Sequence, residues 1–99
     1  MPNFLKTSTA AAAPVALKST ITNYNTATLI ACKGLNGPTA SPNTGTVKIG
    51  SSGNANEQPV EMAPGDQVVF KAPSGGLWDL QGIFLKVATD GDGVVVEYR

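Results

Sequence analysis

The sequence contains no histidine and a single cysteine, and both scarcities limit the chemistry open to it. Without histidine, the chain lacks the usual general base at neutral pH and the commonest metal-binding side chain. Cys32 alone can form neither an intrachain disulfide nor a thiolate cluster. It follows apolar residues and is expected to be a small buried hydrophobe. We therefore expect a protein that is not an enzyme and that holds no metal and no cofactor.

Carboxylates are the remaining side chains that could catalyse a reaction or bind a metal ion. Their positions in the sequence do not indicate a site. Two carboxylates suffice for glycoside hydrolysis, but the seven in this chain form many chance pairs, and a chain of 99 residues leaves little room for a cleft. The segment Asp90-Gly91-Asp92-Gly93 resembles the start of a calcium loop. The glutamate at the twelfth position of such a loop would fall beyond Arg99, so we interpret the segment as a tight turn.

Charge is also scarce, and no long apolar run is present. Charged residues make up 14% of the chain, against about 25% in typical soluble domains. No segment approaches the roughly 18 apolar residues of a membrane span, so no membrane partner is expected. A neutral surface of small residues suits a protein that packs against neighbours, and it equally suits a secreted or particle-bound protein.

The few charges are divided unevenly along the chain. Residues 1–56 carry four lysines and no carboxylate, whereas residues 57–99 carry seven carboxylates and three basic residues. Two interpretations are open: chance followed by ordinary folding of one half against the other, or a basic N-terminal arm lying on an acidic surface of a neighbouring subunit. The lysines are too sparse for a nucleic-acid surface, so no nucleic-acid partner is expected.

Residues 1–20 differ in composition from the rest of the chain. They are rich in Thr, Ala and Ser, and Pro14 interrupts the only run that could begin a helix. We predict an extended N-terminal arm over residues 1–20 and one domain over residues 21–99.

Short strand patterns fill the predicted domain. Val47 and Ile49 alternate with Lys48, which is the period of a half-buried strand. Pro64-Gly65 is typical of a type II turn. Six candidate strands are separated by turn residues, at 26–32, 46–49, 59–62, 67–71, 80–87 and 94–98. The pattern predicts an all-β fold, a small antiparallel β-sandwich or partly open barrel with the extended N-terminal arm. The last two strands are expected to form a hairpin.

Trp78 is the single tryptophan, and its position at the start of a predicted strand has two interpretations. It either covers one end of the core, as a lone tryptophan commonly does, or it is an exposed contact for a partner or a sugar. Both interpretations stay open at the level of sequence.

The stretch from Thr46 to Tyr98 resembles small virion proteins of tailed phages, in which a compact β-sandwich follows an N-terminal arm. The resemblance is carried by Val47-Lys48-Ile49-Gly50, Gln58-Pro59-Val60-Glu61-Met62, the turn Ala63-Pro64-Gly65-Asp66, Trp78-Asp79-Leu80, Ile83-Phe84-Leu85 and the ending Thr89-Asp90-Gly91-Asp92-Gly93-Val94-Val95-Val96. It covers about half of the chain.

The resemblance implies a structural role. Such proteins act as capsid decoration (cement) proteins, head fibres, or neck and tail components. It implies a virion protein made in the host cytoplasm, with the major capsid protein or other virion proteins as partners and a homo-oligomer, a trimer, as its assembled form. By the same analogy, the partner-binding residues are Phe4, Leu5, Lys6 and the residues up to Lys18 of the arm. Trp78 is a further candidate contact from its position in the sequence and not from the analogy.

A second class of function fits the same fold. A free-standing receptor- or carbohydrate-binding module would use Trp78 and Tyr98 as its aromatic contacts. A cement protein should bind and stabilise purified shells, whereas a receptor module should bind glycans or cells.

Overall fold

The protein is all-β, as predicted. A computed structural model describes residues 2–73 and 76–99. Within these residues the strands are β1 Asn3–Thr7, β2 Val15–Ala16, β3 Asn23–Tyr24, β4 Thr26–Ile30, β5 Val47–Gly50, β6 Val60–Met62, β7 Gln67–Lys71, β8 Trp78–Asp79, β9 Phe84–Val87 and β10 Gly93–Tyr98. A single 3₁₀ turn, Leu80–Gly82, lies between β8 and β9.

The strands form two four-stranded antiparallel sheets and one two-stranded ladder. The first sheet has the order β1-β10-β4-β7 and the second β2-β9-β5-β6, while β3 pairs with β8. Buried side chains from both large sheets, including Leu29, Val96, Ile49 and Leu85, form one hydrophobic cluster. Neither sheet closes into a barrel over the described residues, so the architecture is that of a small β-sandwich.

The alternation predicted for single strands is confirmed. In β5, Val47 and Ile49 are buried while Lys48 is exposed. In β9, Leu85 and Val87 are buried, and Phe84 and Lys86 are only partly buried. Period-2 burial of this kind places one face of each strand on the shared core.

The separate N-terminal arm is not confirmed. Residues 3–7 form β1, which pairs with β10 from Asn3↔Glu97 to Thr7↔Gly93, and Val15–Ala16 form β2, which pairs with β9. The physical reason is long-range pairing, since β10 and β9 each have a backbone edge that these segments satisfy. The low-complexity composition carries no local sign of partners about 90 residues away in sequence.

The predicted hairpin of the last two strands is wrong. The strand predicted at 80–87 begins with the 3₁₀ turn, and β9 and β10 then belong to different sheets. The segment between them does contain a tight turn, with Gly91 at a φ of +87°. The turn carries the chain across the sandwich because the buried Asp92 carboxylate binds the backbone N–H groups of Thr44 and Gly45, at 2.9 and 2.8 Å.

Two further predictions about single residues are confirmed. Cys32 is buried, with no exposed surface. The Pro64-Gly65 turn has Gly65 at a φ of +88°, which is the left-handed conformation that the second central position of a type II turn requires.

A candidate partner-binding cleft beside Trp78

An apolar cleft of about 490 Å³ opens on the side of the sandwich where both sheets end. Its walls include Phe70 of β7 and Val60 of β6, the outermost strands of the two sheets, together with Tyr24, Trp78 and Ile83. A volume of this size lies within the range of roughly 300–1,000 Å³ typical of ligand pockets. The expectation that so short a chain has little room for a cleft is therefore wrong.

The two-stranded ladder holds Trp78 at the mouth of this cleft. Trp78 pairs with Tyr24, and Asp79 pairs with Asn23. The Asp79 carboxylate accepts hydrogen bonds from the backbone N–H groups of Thr22 at 2.8 Å and Gln81 at 2.9 Å. These bonds join the ladder to the 3₁₀ turn that follows it, so the backbone that follows the tryptophan is held in place.

Trp78 itself is 47% exposed, whereas Tyr24 beside it is 1% exposed. Of the two interpretations open at the level of sequence, the structure places Trp78 at the surface, where its ring lines the cleft without filling it. Its exposed part is therefore available to a partner.

Two further exposed apolar side chains lie next to the same ladder. Ile21, two residues before β3, is 73% exposed, and Leu77, immediately before β8, is 58% exposed. Neither side chain lines the cleft itself, where Trp78 is the exposed apolar residue. Exposed apolar side chains that are concentrated beside a cleft mark contact surfaces more often than scattered ones do.

The ionisable side chains that line the cleft are those of Tyr24 and Asp79. Burial, and secondarily the nearby Asp79 carboxylate, raise the pKa of Tyr24 above its ordinary value of 10.0. Tyr24 is therefore neutral at physiological pH, and one oxygen of Asp79 is already occupied by two N–H groups. The arrangement favours binding of apolar groups over proton transfer.

The residues assigned to partner contact by the phage resemblance lie elsewhere. Phe4 packs edge-on against Tyr98 at 6.0 Å between ring centroids, and the Lys18 ammonium lies 4.4 Å from the centre of the Phe4 ring. Leu5 is 36% exposed, and Lys6 is partly buried. None of these residues lines the cleft, so the structure does not bring them together with Trp78.

Sequence reasoning missed most of the cleft. Tyr24, Val60 and Phe70 come from strands that are separate in sequence, and their convergence depends on the sheet order.

Among the described residues, no group of three or more His, Cys, Asp or Glu side chains is placed to hold a metal ion. No helix in the same residues is long and apolar enough to cross a membrane. Comparisons of the chain with protein-family models, curated proteins and solved structures found no match.

Proposed function

We propose that this chain is a non-enzymatic binding module that attaches to a partner protein through the cleft beside Trp78. The observation that carries the proposal is the concentration of exposed apolar surface there. Trp78 is about half exposed and lines a cleft whose other walls are largely aromatic and aliphatic, and the exposed Leu77 and Ile21 are close to it or to its partner strand in sequence. Large aromatic side chains in such positions provide much of the binding energy of protein interfaces.

The setting we propose for this module is the particle of a tailed phage, where it decorates and reinforces the head shell as a cement protein. The partner is then the major capsid protein or another virion protein. Three features support this setting: the resemblance of residues 46–98 to small phage virion proteins, the β-sandwich fold, and the low charged fraction of 14%. A tail, neck or head-fibre position is the alternative location, with the same fold and the same contact surface.

A receptor- or carbohydrate-binding module is the alternative from another class. The exposed Trp78 ring favours it, because sugars stack on such rings. The cleft offers few polar groups to orient sugar hydroxyls, since one Asp79 oxygen already accepts two backbone N–H groups. The geometry therefore suits an apolar protein contact better than a saccharide.

The proposal that the module is not an enzyme has its own support. No histidine is present in the 99 residues. The one carboxylate lining the cleft is engaged in capping backbone groups, and the neighbouring phenol is held neutral by the raised pKa of Tyr24.

Trp78→Ala tests the contact surface. We expect co-sedimentation with purified head shells of the encoding phage to weaken at least tenfold, which corresponds to the ~1.4 kcal/mol or more expected of an interface tryptophan. Because about half of Trp78 is buried, the same change should also lower the free energy of unfolding, so binding is compared at a temperature where both proteins are folded by circular dichroism. Leu35→Ala, at a loop residue that is 59% exposed and does not line the cleft, is the matched control and should bind as the wild type does.

The same assay separates the proposed functions. Wild-type binding to shells that survives Trp78→Ala would reject the cleft as the contact surface. Wild-type binding to glycans or host cells, with no binding to shells, would favour the receptor module over the cement protein.

A further inference from the structure

Over residues 2–73 and 76–99, the two outer strands of the first sheet have the same length, and each has one backbone edge without a partner strand. These strands, β1 and β7, each have five residues with the same alternation of exposed and partly buried side chains. Unpaired strand edges are prone to pairing with another chain, so a protein either blocks them or uses them.

The free backbone groups of β1 belong to its odd-numbered residues. Ser8 N–H donates to the Asp92 carbonyl, and Tyr98 N–H donates to the Pro2 carbonyl, so the even-numbered positions face β10. Hydrogen-bonded positions alternate along an antiparallel pair. The N–H and C=O groups of Asn3, Leu5 and Thr7 therefore point to the open edge.

The same reasoning applies to β7. Ala31 N–H donates to the Asp66 carbonyl, and Ala72 N–H donates to the Asn25 carbonyl, so the even-numbered positions face β4. The N–H and C=O groups of the odd-numbered residues of β7 therefore point to its open edge. These residues are Gln67, Val69 and Lys71.

The two open edges are complementary in an antiparallel register. If Val69 lies opposite Leu5 of a second copy, Gln67 lies opposite Thr7 and Lys71 opposite Asn3, and every pair joins free backbone groups. Val69 is 49% exposed and Leu5 is 36% exposed, and each is the central residue of its strand. Their pairing would cover both aliphatic side chains on the outer face of the extended sheet.

Charge is also complementary in this register. On the opposite face, Lys6 of the second copy lies opposite Val68 and diagonal to Asp66. Diagonal neighbours across an antiparallel pair are about 7–8 Å apart, within reach of a lysine side chain. No two charges of the same sign lie opposite each other among the paired residues.

We propose that a second copy of this chain docks edge to edge, its β1 against β7 of the first. The contact is head-to-tail, so each copy offers one edge of each kind, and the assembly closes into a ring if the rotation between copies allows it. The inference goes beyond the proposed function, because it uses neither Trp78 nor any partner protein. Addition of a strand to an open sheet edge is an established mode of association.

Two lysine substitutions, each at one edge, test the proposal by light scattering after size-exclusion chromatography. Wild-type protein should form an oligomer, while Leu5→Lys and Val69→Lys alone should each be monomeric. An equimolar mixture of the two variants should form a 1:1 complex, because one intact β7 edge and one intact β1 edge remain. Leu35→Lys, a matched change at an exposed loop residue, should assemble as the wild type does.

Other outcomes would overturn the proposal. A monomeric wild type at its highest soluble concentration would contradict it, and so would self-association of either single variant at wild-type strength. Two-fold pairing of like edges would leave one variant dimeric, which would also contradict it. Should either lysine variant fail to fold by circular dichroism, Lys6→Glu should weaken assembly by opposing Asp66, while Lys6→Arg should preserve it.

Discussion

Asp92 shows how a single buried carboxylate can set the path of the chain between the two sheets. It has no exposed surface and accepts backbone hydrogen bonds from Thr44 at 2.9 Å and from Gly45 at 2.8 Å. Beside it, Asn43 donates to the Gly93 carbonyl at 2.8 Å and accepts from the Gly93 N–H at 3.1 Å. The loop before β5 is thereby tied to the start of β10.

Asp92→Ala should be strongly destabilising. It removes the acceptor of two backbone N–H groups, and hydrogen bonds to charged groups contribute about 1.5–3 kcal/mol each. We expect the free energy of unfolding, measured by urea denaturation, to fall by about 2 kcal/mol or more. Asp90→Ala, at the neighbouring exposed carboxylate that accepts one N–H from Ala10, is the control and should cost less. Equal losses in the two variants would contradict this role of Asp92.

Tyr24 gives the protein a predicted sensitivity to alkaline pH. Burial and Asp79 raise its pKa above 10.0, so the folded state keeps the phenol proton at a pH where the unfolded state loses it. This contribution to stability is complete below pH 10 and is lost as pH rises through the folded-state pKa.

We therefore expect the urea midpoint of the wild type to fall more steeply above pH 10 than that of Tyr24→Phe. The phenylalanine variant keeps the ring but has no proton to lose, so it serves as the matched control for every other titrating group. If the urea midpoints of the wild type and Tyr24→Phe fell in parallel above pH 10, Tyr24 would not be the source of the alkaline sensitivity.

At the scale of elements, β1 is the strand whose existence most depends on long-range pairing. Gly93 of β10 lies opposite Thr7, and a Cβ at this position would collide with the carbonyl oxygen of Lys6. The close approach of β1 and β10 thus requires glycine at residue 93.

Gly93→Ala should loosen or displace β1. Overpacking at such a contact costs about 1–3 kcal/mol, and we expect both a lower free energy of unfolding and faster proteolytic cleavage before residue 15. Gly82→Ala is the control, because no atom lies within 4 Å of a Cβ built there. An unchanged rate of cleavage in Gly93→Ala would show that β1 does not depend on this contact.

The strands differ in how well they can be predicted from their local sequences. β5 and β7 follow clear local patterns and lie where the sequence predicts them, with β7 at 67–71. β1, β2, β3 and β8 were missed because they acquire their conformation from partners far away in sequence, and the last three are only two residues long. The turn at 90–93 was predicted as a turn, but its sequence does not determine which sheet the next strand joins.

At the scale of the whole molecule, the fold class could be predicted and the candidate site could not. Alternating apolar residues and frequent turn formers indicate antiparallel sheets wherever they occur. The cleft, in contrast, forms only when β6 and β7 end their sheets on the same side and the β3–β8 ladder is added beside them. Of its walls, Trp78 was the residue that composition alone singled out.

The whole molecule also shows why the uneven distribution of charge along the sequence is difficult to interpret on its own. From the basic half, Lys6 lies in β1 and Lys18 lies two residues after β2, and both strands pair with strands from the acidic half. That a basic N-terminal arm lies on an acidic surface of a neighbouring subunit remains a prediction. The contact proposed between Lys6 of one copy and Asp66 of another is a more specific version of it.

The central claim, that this chain is a binding module of a phage particle, is tested most directly by cryo-electron microscopy of purified particles of the encoding phage. We predict density for the β-sandwich on the outer surface of the head, with the cleft beside Trp78 against a capsid subunit. Density at the tail or neck would move the module to its alternative location. Absence of the chain from the particle, or a cleft that faces solvent in every copy, would contradict the account.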